Sequence, residues 1–575
     1  MTRVGPTSST LPARWLGCVI LLWLALFIVR LAGPPNFTDK DQERPASYMM
    51  DAVLNGNWIV QRDFTGEITS KPPFYTWLGA LVMLPGGEMN PLVVYLPTAL
   101  ATLGMTLMVL FAGARFWGAP AGMLGAVFYL SNPGVWKQIA LARTDAVFSF
   151  AVAWAALEAW RAWRGGQSWW RFWLAASIAT LTKGPLGLLL GAGGLMAAWL
   201  ERRSGHAVAF SLKRFLLPGI FLWLALSFGW FALSLWDQGD DVYDKMIRRE
   251  LVGHLAGGET SPGDVKPPPF ASAHKPLLYF IGRFAPWSLL SLVGLWLVWK
   301  RPAQADAERR FERFLFGWFV VGLLIFSVAG HARGDLIFPL IPPGALLAGR
   351  IAARWLERRP KWSPFAVAVV IGCLGIAGAA GKYIVAQAKD ERSLQTIALR
   401  DLAAELERDH PGLPLVHLDT PFAFQMYANN LVPVLRLEQA VALLAGEDAA
   451  WVTVENLERL RAALPDPEAL HVLREIRIEG VPPFHLVSNR DSLELPERAA
   501  SRFGPLYLVQ QRLQLLDRTE RELSFRADGL GGRLIVHNDG GRNPVTVKVR
   551  ITDTPRGEVN EERTLAPDEV WVVAY

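Results

Sequence analysis

The sequence predicts a polytopic α-helical membrane protein that carries a soluble α/β plus β-sandwich region at its C-terminal end. Three observations predict it. Apolar runs of bilayer-spanning length recur along the first two thirds of the chain, the basic residues between them fall on alternate connections, and past Lys389 the composition turns charged and strand-patterned.

The chain has 575 residues, of which 51% are hydrophobic, with 24 Trp and 30 Phe, a composition too apolar for an ordinary soluble protein. Runs such as 16–33, 91–113 and 363–381 approach the length a helix needs to cross a bilayer. In order, the expected spans are 16–33, 91–112, 119–136, 146–160, 172–182, 185–200, 215–235, 276–298, 314–330, 336–350 and 363–382, about eleven in all. The first follows Arg3 and Arg14 without a small-residue cleavage site behind it, so it is read as a retained span. Cys18 and Cys373 both lie inside apolar runs and provide neither a disulfide framework nor a zinc cluster. The basic balance, in a soluble protein a pointer to nucleic acid, is here explained by its placement.

With the N-terminus in the cytoplasm, the cytoplasmic connections 161–171, 201–214, 300–313 and 350–361 carry 3, 4, 5 and 5 Lys or Arg. The long loops 34–90 and 236–275 fall on the other face and hold more acids than bases. This positive-inside pattern puts the C-terminal region outside the cytoplasm. The segment 73–84 is apolar but short, and as a full span it would invert every later basic loop, so an interfacial or re-entrant helix on the outer face is expected. The division that follows is a membrane domain 1–384, an α/β domain 385–500 and a β-sandwich domain 501–575. In the last of these, short alternating runs are separated by Gly, Asn, Asp and Pro, and the NDGG segment 538–541 reads as a hairpin turn. His410, His417, His471, His485 and His537 have no ligand spacing and read as ordinary histidines.

The chemically informative residues are the charged ones expected at the outer face. The first loop brings Asp39, Asp41, Glu43, Arg44 and Lys71, and Asp145 opens the fourth span on the same side. Two carboxylates, Asp41 and Asp145, beside Lys71, Arg143, Lys183 and Arg333 would suit acid–base work on a hydroxyl next to a bound phosphate. Cations at membrane depth are costly unless they meet acids or an anion. The alternative for each is a solvated loop charge. Glu250 and His254, four apart, with His274 beyond, are a candidate for part of a metal or acceptor site, although no third ligand follows from the spacing.

These residues lie in ordered motifs. Asp41-Gln42-Glu43-Arg44-Pro45 is followed by Ser70-Lys71-Pro72-Pro73-Phe74-Tyr75-Thr76-Trp77, then Tyr95 to Leu100, Arg143-Thr144-Asp145 and Leu181-Thr182-Lys183-Gly184-Pro185. His274-Lys275-Pro276, Pro286-Trp287 and Phe326-Ser327 through Arg333 complete the series. In this order they resemble the bacterial lipid-linked glycosyltransferases that transfer 4-amino-4-deoxy-L-arabinose to lipid A and, more distantly, the protein O-mannosyltransferases, families that share the GT-C membrane fold. The resemblance covers roughly residues 15–350. It implies transfer of a sugar, with inversion, from an undecaprenyl (polyprenyl) phosphate donor to an envelope acceptor such as lipid A, lipopolysaccharide core or another glycan at the periplasmic face.

Carried over, Asp41 is the candidate essential carboxylate with Asp145 its partner. Lys71, Arg44, Lys183, Arg333 and Arg143 are candidates for the donor phosphate, and Glu250, His254 and His274 for a metal or the acceptor. No cofactor is required by the sequence, with a divalent Zn, Mg or Mn left open, and a monomer is expected. Gln42, Pro45 and Ser70 depart from the family's acid, tyrosine and acid, and the change at Ser70 removes an acid from its metal set. The competing classes are a transporter or flippase for lipid-linked saccharides, which would place polar residues in broken helices at the midplane, and a non-enzymatic envelope assembly subunit.

Overall fold

The computed structural model describes residues 11–575 apart from 207–218, 253–271, 329–332, 429–436, 494–499 and shorter stretches, mostly in the connections. The N-terminal two thirds are helical. Among the described residues, five helices are by length and composition apolar enough to cross a membrane: α1 (Ala13–Ala32), the helix Pro91–Trp117, the helix Ile220–Gln238, the helix Asp306–Val328 and the run Pro364–Lys389. The chain is a multi-pass membrane protein. Helices also occupy the other expected spans, but in shorter or interrupted pieces, and the interruptions explain the difference from the sequence reading.

After α1 come α2 (Lys40–Leu54) and α3 (Phe74–Met83), then α4 (Pro91–Trp117). The ten residues of α3 reach only about 15 Å at the α-helical rise. Its Tyr75 hydroxyl donates to the Val94 carbonyl near the start of α4 at 3.0 Å, so α3 stays on the face where the loop begins. The run 119–136 divides into α5 (Ala119–Leu130) and α6 (Pro133–Gln138), where Asn132 caps the second piece through the Val135 N–H. Next are α7 (Asp145–Gly165) and α8 (Trp170–Lys183), which ends on Gly184 at φ 101°. The segment 185–200 is α9 (Leu186–Ala192), a 3₁₀ turn and α10 (Met196–Arg203), and α11 is Ile220–Gln238. The run 276–298 breaks at Pro286 into α12 (Lys275–Arg283) and α13 (Ser288–Lys300). Then follow α14 (Asp306–Val328), α15 (Ile341–Glu357) and α16 (Pro364–Ala380), the last continuing as a π-helix Gly381–Ala386.

Small residues let these helices approach. A Cβ on Gly122 of α5 would lie 2.2 Å from the Leu110 carbonyl oxygen of α4, and one on Gly349 of α15 would lie 2.5 Å from the Ala121 oxygen. The basic connections meet on one face. Glu201, fully buried, accepts from Arg309 Nε at 3.2 Å, Arg310 Nε at 3.3 Å and Arg313 Nη1 at 2.8 Å, and Arg350 pairs with Glu312. The acidic loops gather at the opposite ends of the helices, termed the loop face below.

The C-terminal region stands on that face. Helix α17 (Glu391–Asp409) packs beside α18 (Phe422–Tyr427), and α19 (Leu437–Leu444) and α20 (Leu457–Ala463) flank a four-stranded sheet. The sheet comprises β1 (Leu415–His417), β2 (Trp451–Val454), β3 (His471–Ile476) and β4 (Phe484–Ser488) in the order β1-β2-β4-β3, with β1 and β2 parallel. Eight further strands, β5 (Ala500–Phe503), β6 (Leu506–Val509), β7 (Leu513–Arg518), β8 (Glu522–Ala527), β9 (Arg533–Asn538), β10 (Val545–Thr554), β11 (Gly557–Leu565) and β12 (Val570–Ala574), form two sheets, β11-β10-β8-β7 and β12-β9-β6-β5. Phe525, Val549 and Ile551 from one sheet meet Val536, Trp571 and Val573 from the other in a closed core. The NDGG segment joins strands of different sheets, so it is a crossover and not a hairpin, and 539–541 lie outside the described residues.

Candidate active site

The first loop is folded by its own acids. Asp51, buried on α2, accepts from the Asn57 amide at 3.0 and 3.1 Å and from the Arg62 N–H at 2.7 Å, while Asp63 accepts from the Glu67 N–H at 3.0 Å. Arg44 of α2 lies 3.2 Å from Asp63, its side chain half exposed. Arg62 reaches across to Gln238 at the end of α11 at 2.5 Å, and Lys245 pairs with Glu67, so the first and third loops are tied together. Burying Asp51 and Asp63 is offset by these hydrogen bonds, which hold α2 in place.

Asp41 lies in the first turn of α2, and its side chain is outside the described residues. Pro45 has no N–H to donate to the Asp41 carbonyl four residues back. The adjacent Gln42 side chain accepts from the Ala142 N–H at 3.5 Å, which sets the start of α2 against the Arg143-Thr144-Asp145 segment. That segment divides its two charges. Asp145 begins α7 and pairs with Lys183, the last residue of α8, so each charge sits at the helix end whose dipole favours it. Arg143 Nη1 turns the other way, 2.9 Å from Asp335 Oδ2.

Asp335 is a residue the sequence reading missed. Lys137 Nζ of α6 lies 2.7 Å from the same oxygen, and Arg283 Nη2 of α12 lies 3.7 Å from the other. Burial by itself would raise the Asp335 carboxyl, but Lys137, then Arg283 and Arg143, hold it below the usual carboxylate range. Its position one helical turn before Pro339 carries no periodic signal, and only the neighbouring Arg333 drew notice. Arg333 is exposed on the same turn, and Lys71 is exposed just before α3. The structure thus brings Asp145, Lys183, Arg143 and the start of α2 together. His274 is exposed at the N-cap of α12. Glu250 lies on the π-helix Tyr243–Val252 with its side chain outside the described residues, as is all of His254. Among the described residues no group of three or more His, Cys, Asp or Glu could hold a metal.

The arrangement has the fold of a GT-C-like glycosyltransferase. It aligns with ArnT from Cupriavidus metallidurans bound to undecaprenyl phosphate at a TM-score of 0.63 and 16% identity, covering 84% of this chain and 99% of that one. The apo form of the same protein gives the same TM-score. In sequence, part of the chain is similar to 4-amino-4-deoxy-L-arabinose arabinosyl transferases and to a protein mannosyltransferase family model. Residues 70–229 match the dolichyl-phosphate-mannose-protein mannosyltransferase family model. An undecaprenyl phosphate-alpha-4-amino-4-deoxy-L-arabinose arabinosyl transferase of Pseudomonas fluorescens Pf0-1 is 25% identical over 365 residues, 61% of this chain and 60% of the relative. A second, from P. fluorescens Pf-5, is 26% identical over 349 residues, 58% of this chain and 59% of the relative. The chain therefore spans about three fifths of the length of the curated relatives it matches.

Proposed function

We propose that this protein is a glycosyltransferase of the bacterial inner membrane that moves a sugar from a polyprenyl phosphate donor to an envelope acceptor at the periplasmic face. The observation that carries the reading is the meeting, on the loop face, of the start of α2, the Arg143-Thr144-Asp145 segment and Lys183. The broken helix pairs α5–α6, α9–α10 and α12–α13 then cross as units, the basic connections lie in the cytoplasm and the C-terminal region lies in the periplasm.

In this reading Asp41 accepts the proton of the acceptor hydroxyl as its oxygen bonds to the anomeric carbon. The bond from that carbon to the phosphate oxygen breaks with its electron pair, and polyprenyl phosphate leaves as a stable anion without needing a proton. Lys71, Arg333 and Arg143 stabilise the charge that gathers on the phosphate. Asp145 holds Lys183 at the site and is a partner to Asp41, and Arg44 orients α2 through Asp63. A lipid A acceptor, the inversion at the anomeric carbon and a role for Glu250, His254 and His274 with a metal or acceptor belong to this proposal.

The test is mass spectrometry of envelope lipids and glycans from cells lacking the gene and from cells complemented with wild type or Asp41→Ala. One sugar should vanish on deletion and return only with wild type. Full restoration by Asp41→Ala would refute the assignment.

A further inference from the structure

The cations around Asp335 exceed what one carboxylate balances. Lys137 and Arg283 by themselves place two cations on it. Two more gather at the neighbouring Tyr383 ring, with the Arg30 guanidinium 5.1 Å and Lys382 Nζ 4.9 Å from its centroid. Tyr383 in turn donates to the Trp136 carbonyl at 2.8 Å, which fixes this pair beside Lys137. Among the described residues neither Arg30 nor Lys382 has an ion-pair partner. Arg30 is instead held by the Tyr95 hydroxyl at 3.2 Å and the Pro34 carbonyl at 3.4 Å. Several like charges at the edge of the hydrocarbon are costly unless an anion meets them.

The patch is built and open. A Cβ at Gly134 would lie 2.8 Å from the Arg283 carbonyl oxygen, so that approach depends on glycine, and Gly334 lies against the Arg283 side chain. The Lys137 and Arg283 side chains are 29% and 35% exposed, enough for a ligand to reach them. The same elements present apolar side chains outward, Leu278 on α12 and Ile384 and Val385 on the π-helix. Cations bordered by outward apolar side chains match a head group with acyl chains, and a free anion would leave the apolar part unused.

We propose that Lys137, Arg283 and Lys382 bind the phosphate of an anionic glycerophospholipid in the leaflet at the loop face, its acyl chains lying along Leu278 and Val385. The site borders the proposed donor site through Asp335, which Arg143 also meets, but it is separate from the Asp145–Lys183 pair and its occupancy requires no turnover, so its failure and that of the transferase reading are distinguishable.

The experiment uses full-length protein in phosphatidylcholine nanodiscs doped with phosphatidylglycerol, with retained lipid counted by native mass spectrometry. Lys137→Gln with Arg283→Gln should weaken phosphatidylglycerol retention roughly thirtyfold, and Lys382→Gln alone roughly fivefold. Lys245→Gln, which removes a cation of the same face paired with Glu67, should leave it unchanged. Thermal unfolding in phosphatidylcholine alone identifies any variant that fails to fold, and the single Lys382→Gln change at the outer surface then carries the test. Undiminished retention in the folded variants would overturn the proposal. So would displacement of the lipid by excess inorganic phosphate, or loss of polyprenyl phosphate binding in place of phosphatidylglycerol, which would assign these cations to the donor.

Discussion

Lys183→Met separates the structural from the chemical work of the Asp145–Lys183 pair. The side chains are 9% and 17% exposed, so the variant leaves a carboxylate without its cation in a site that water barely reaches. Breaking a buried pair from one side costs about 3–5 kcal/mol, and the start of α7 returns about 0.3–1 kcal/mol of that through its dipole. A net loss of about 3 kcal/mol is therefore expected. Asp145→Asn combined with Lys183→Met removes both charges and should recover most of the loss, since neutral replacement of a whole pair is close to neutral in energy. The assay is unfolding of all four members of the cycle in nanodiscs, alongside sugar transfer. A double variant that regains stability but not turnover assigns one of the two groups to the reaction, and recovery of both makes the pair purely structural. If the double variant instead loses the sum of the two single losses, the groups are not coupled and the geometry argument fails.

Two further outcomes follow from packing and burial. His417 is fully buried, its Nδ1 is 2.7 Å from the Thr453 hydroxyl, and burial pushes its imidazole down to about 3. The unfolded chain takes up a proton near pH 6.5 while the folded one does not, so stability is lost as pH falls from 6.5 towards 3, by about 1.4 kcal/mol per unit. His417→Asn should flatten that dependence, read by limited proteolysis of the C-terminal region at pH 7 and about 5; an unchanged pH profile would contradict a buried neutral imidazole. Gly122→Ala places a methyl 2.2 Å from one backbone atom and 2.6 Å from another, which no rotamer relieves, so at least about 1–3 kcal/mol is expected from overpacking α4 against α5. Gly229→Ala, with nothing within 4 Å, is the control, and equal melting temperatures for the two would contradict the packing.

The sequence made the membrane class legible because apolar length and basic placement are one-dimensional signals. It also marked 73–84 as too short to cross, as the return of α3 to the start of α4 bears out. It did not mark the breaks at Asn132-Pro133 and Pro286, because a hydropathy window averages over the one or two residues that interrupt a helix. The Arg143-Thr144-Asp145 segment was legible as a motif, but its two charges facing different partners was not. Asp145 finds a residue 38 positions away and Arg143 one 192 positions away, and no local period connects them. Asp335 escaped for the same reason, because a lone acid in a turn gains meaning only from Lys137 and Arg283, which two other elements bring to it. The β-sandwich was read correctly as strands and wrongly at NDGG, since alternation predicts a strand and not the sheet it joins.

Helix α2 poses a mechanical question, because a fifteen-residue helix with a proline in its sixth position is a weak support for a reacting group. The packing answers it. On one side Met49 lies where a side chain on Gly79 would otherwise sit, so α3 holds α2 without a gap. On the other side the C-terminal region closes over the loop that carries α2. The Phe37 N–H donates to Thr396 of α17 at 3.1 Å, the Phe37 ring stacks on Tyr95 at 5.8 Å and meets Tyr427 edge-on at 6.5 Å, and Phe64 lies 5.0 Å from Phe422 of α18. The Gln387 amide donates to the Pro34 carbonyl at 2.8 Å, which fixes the entry to the loop as well. Moving α2 by the width of an atom would therefore disturb both a membrane helix and the α/β unit. Rigidity that a short helix lacks on its own is supplied by packing from two sides, and the backbone of its first turn inherits that rigidity.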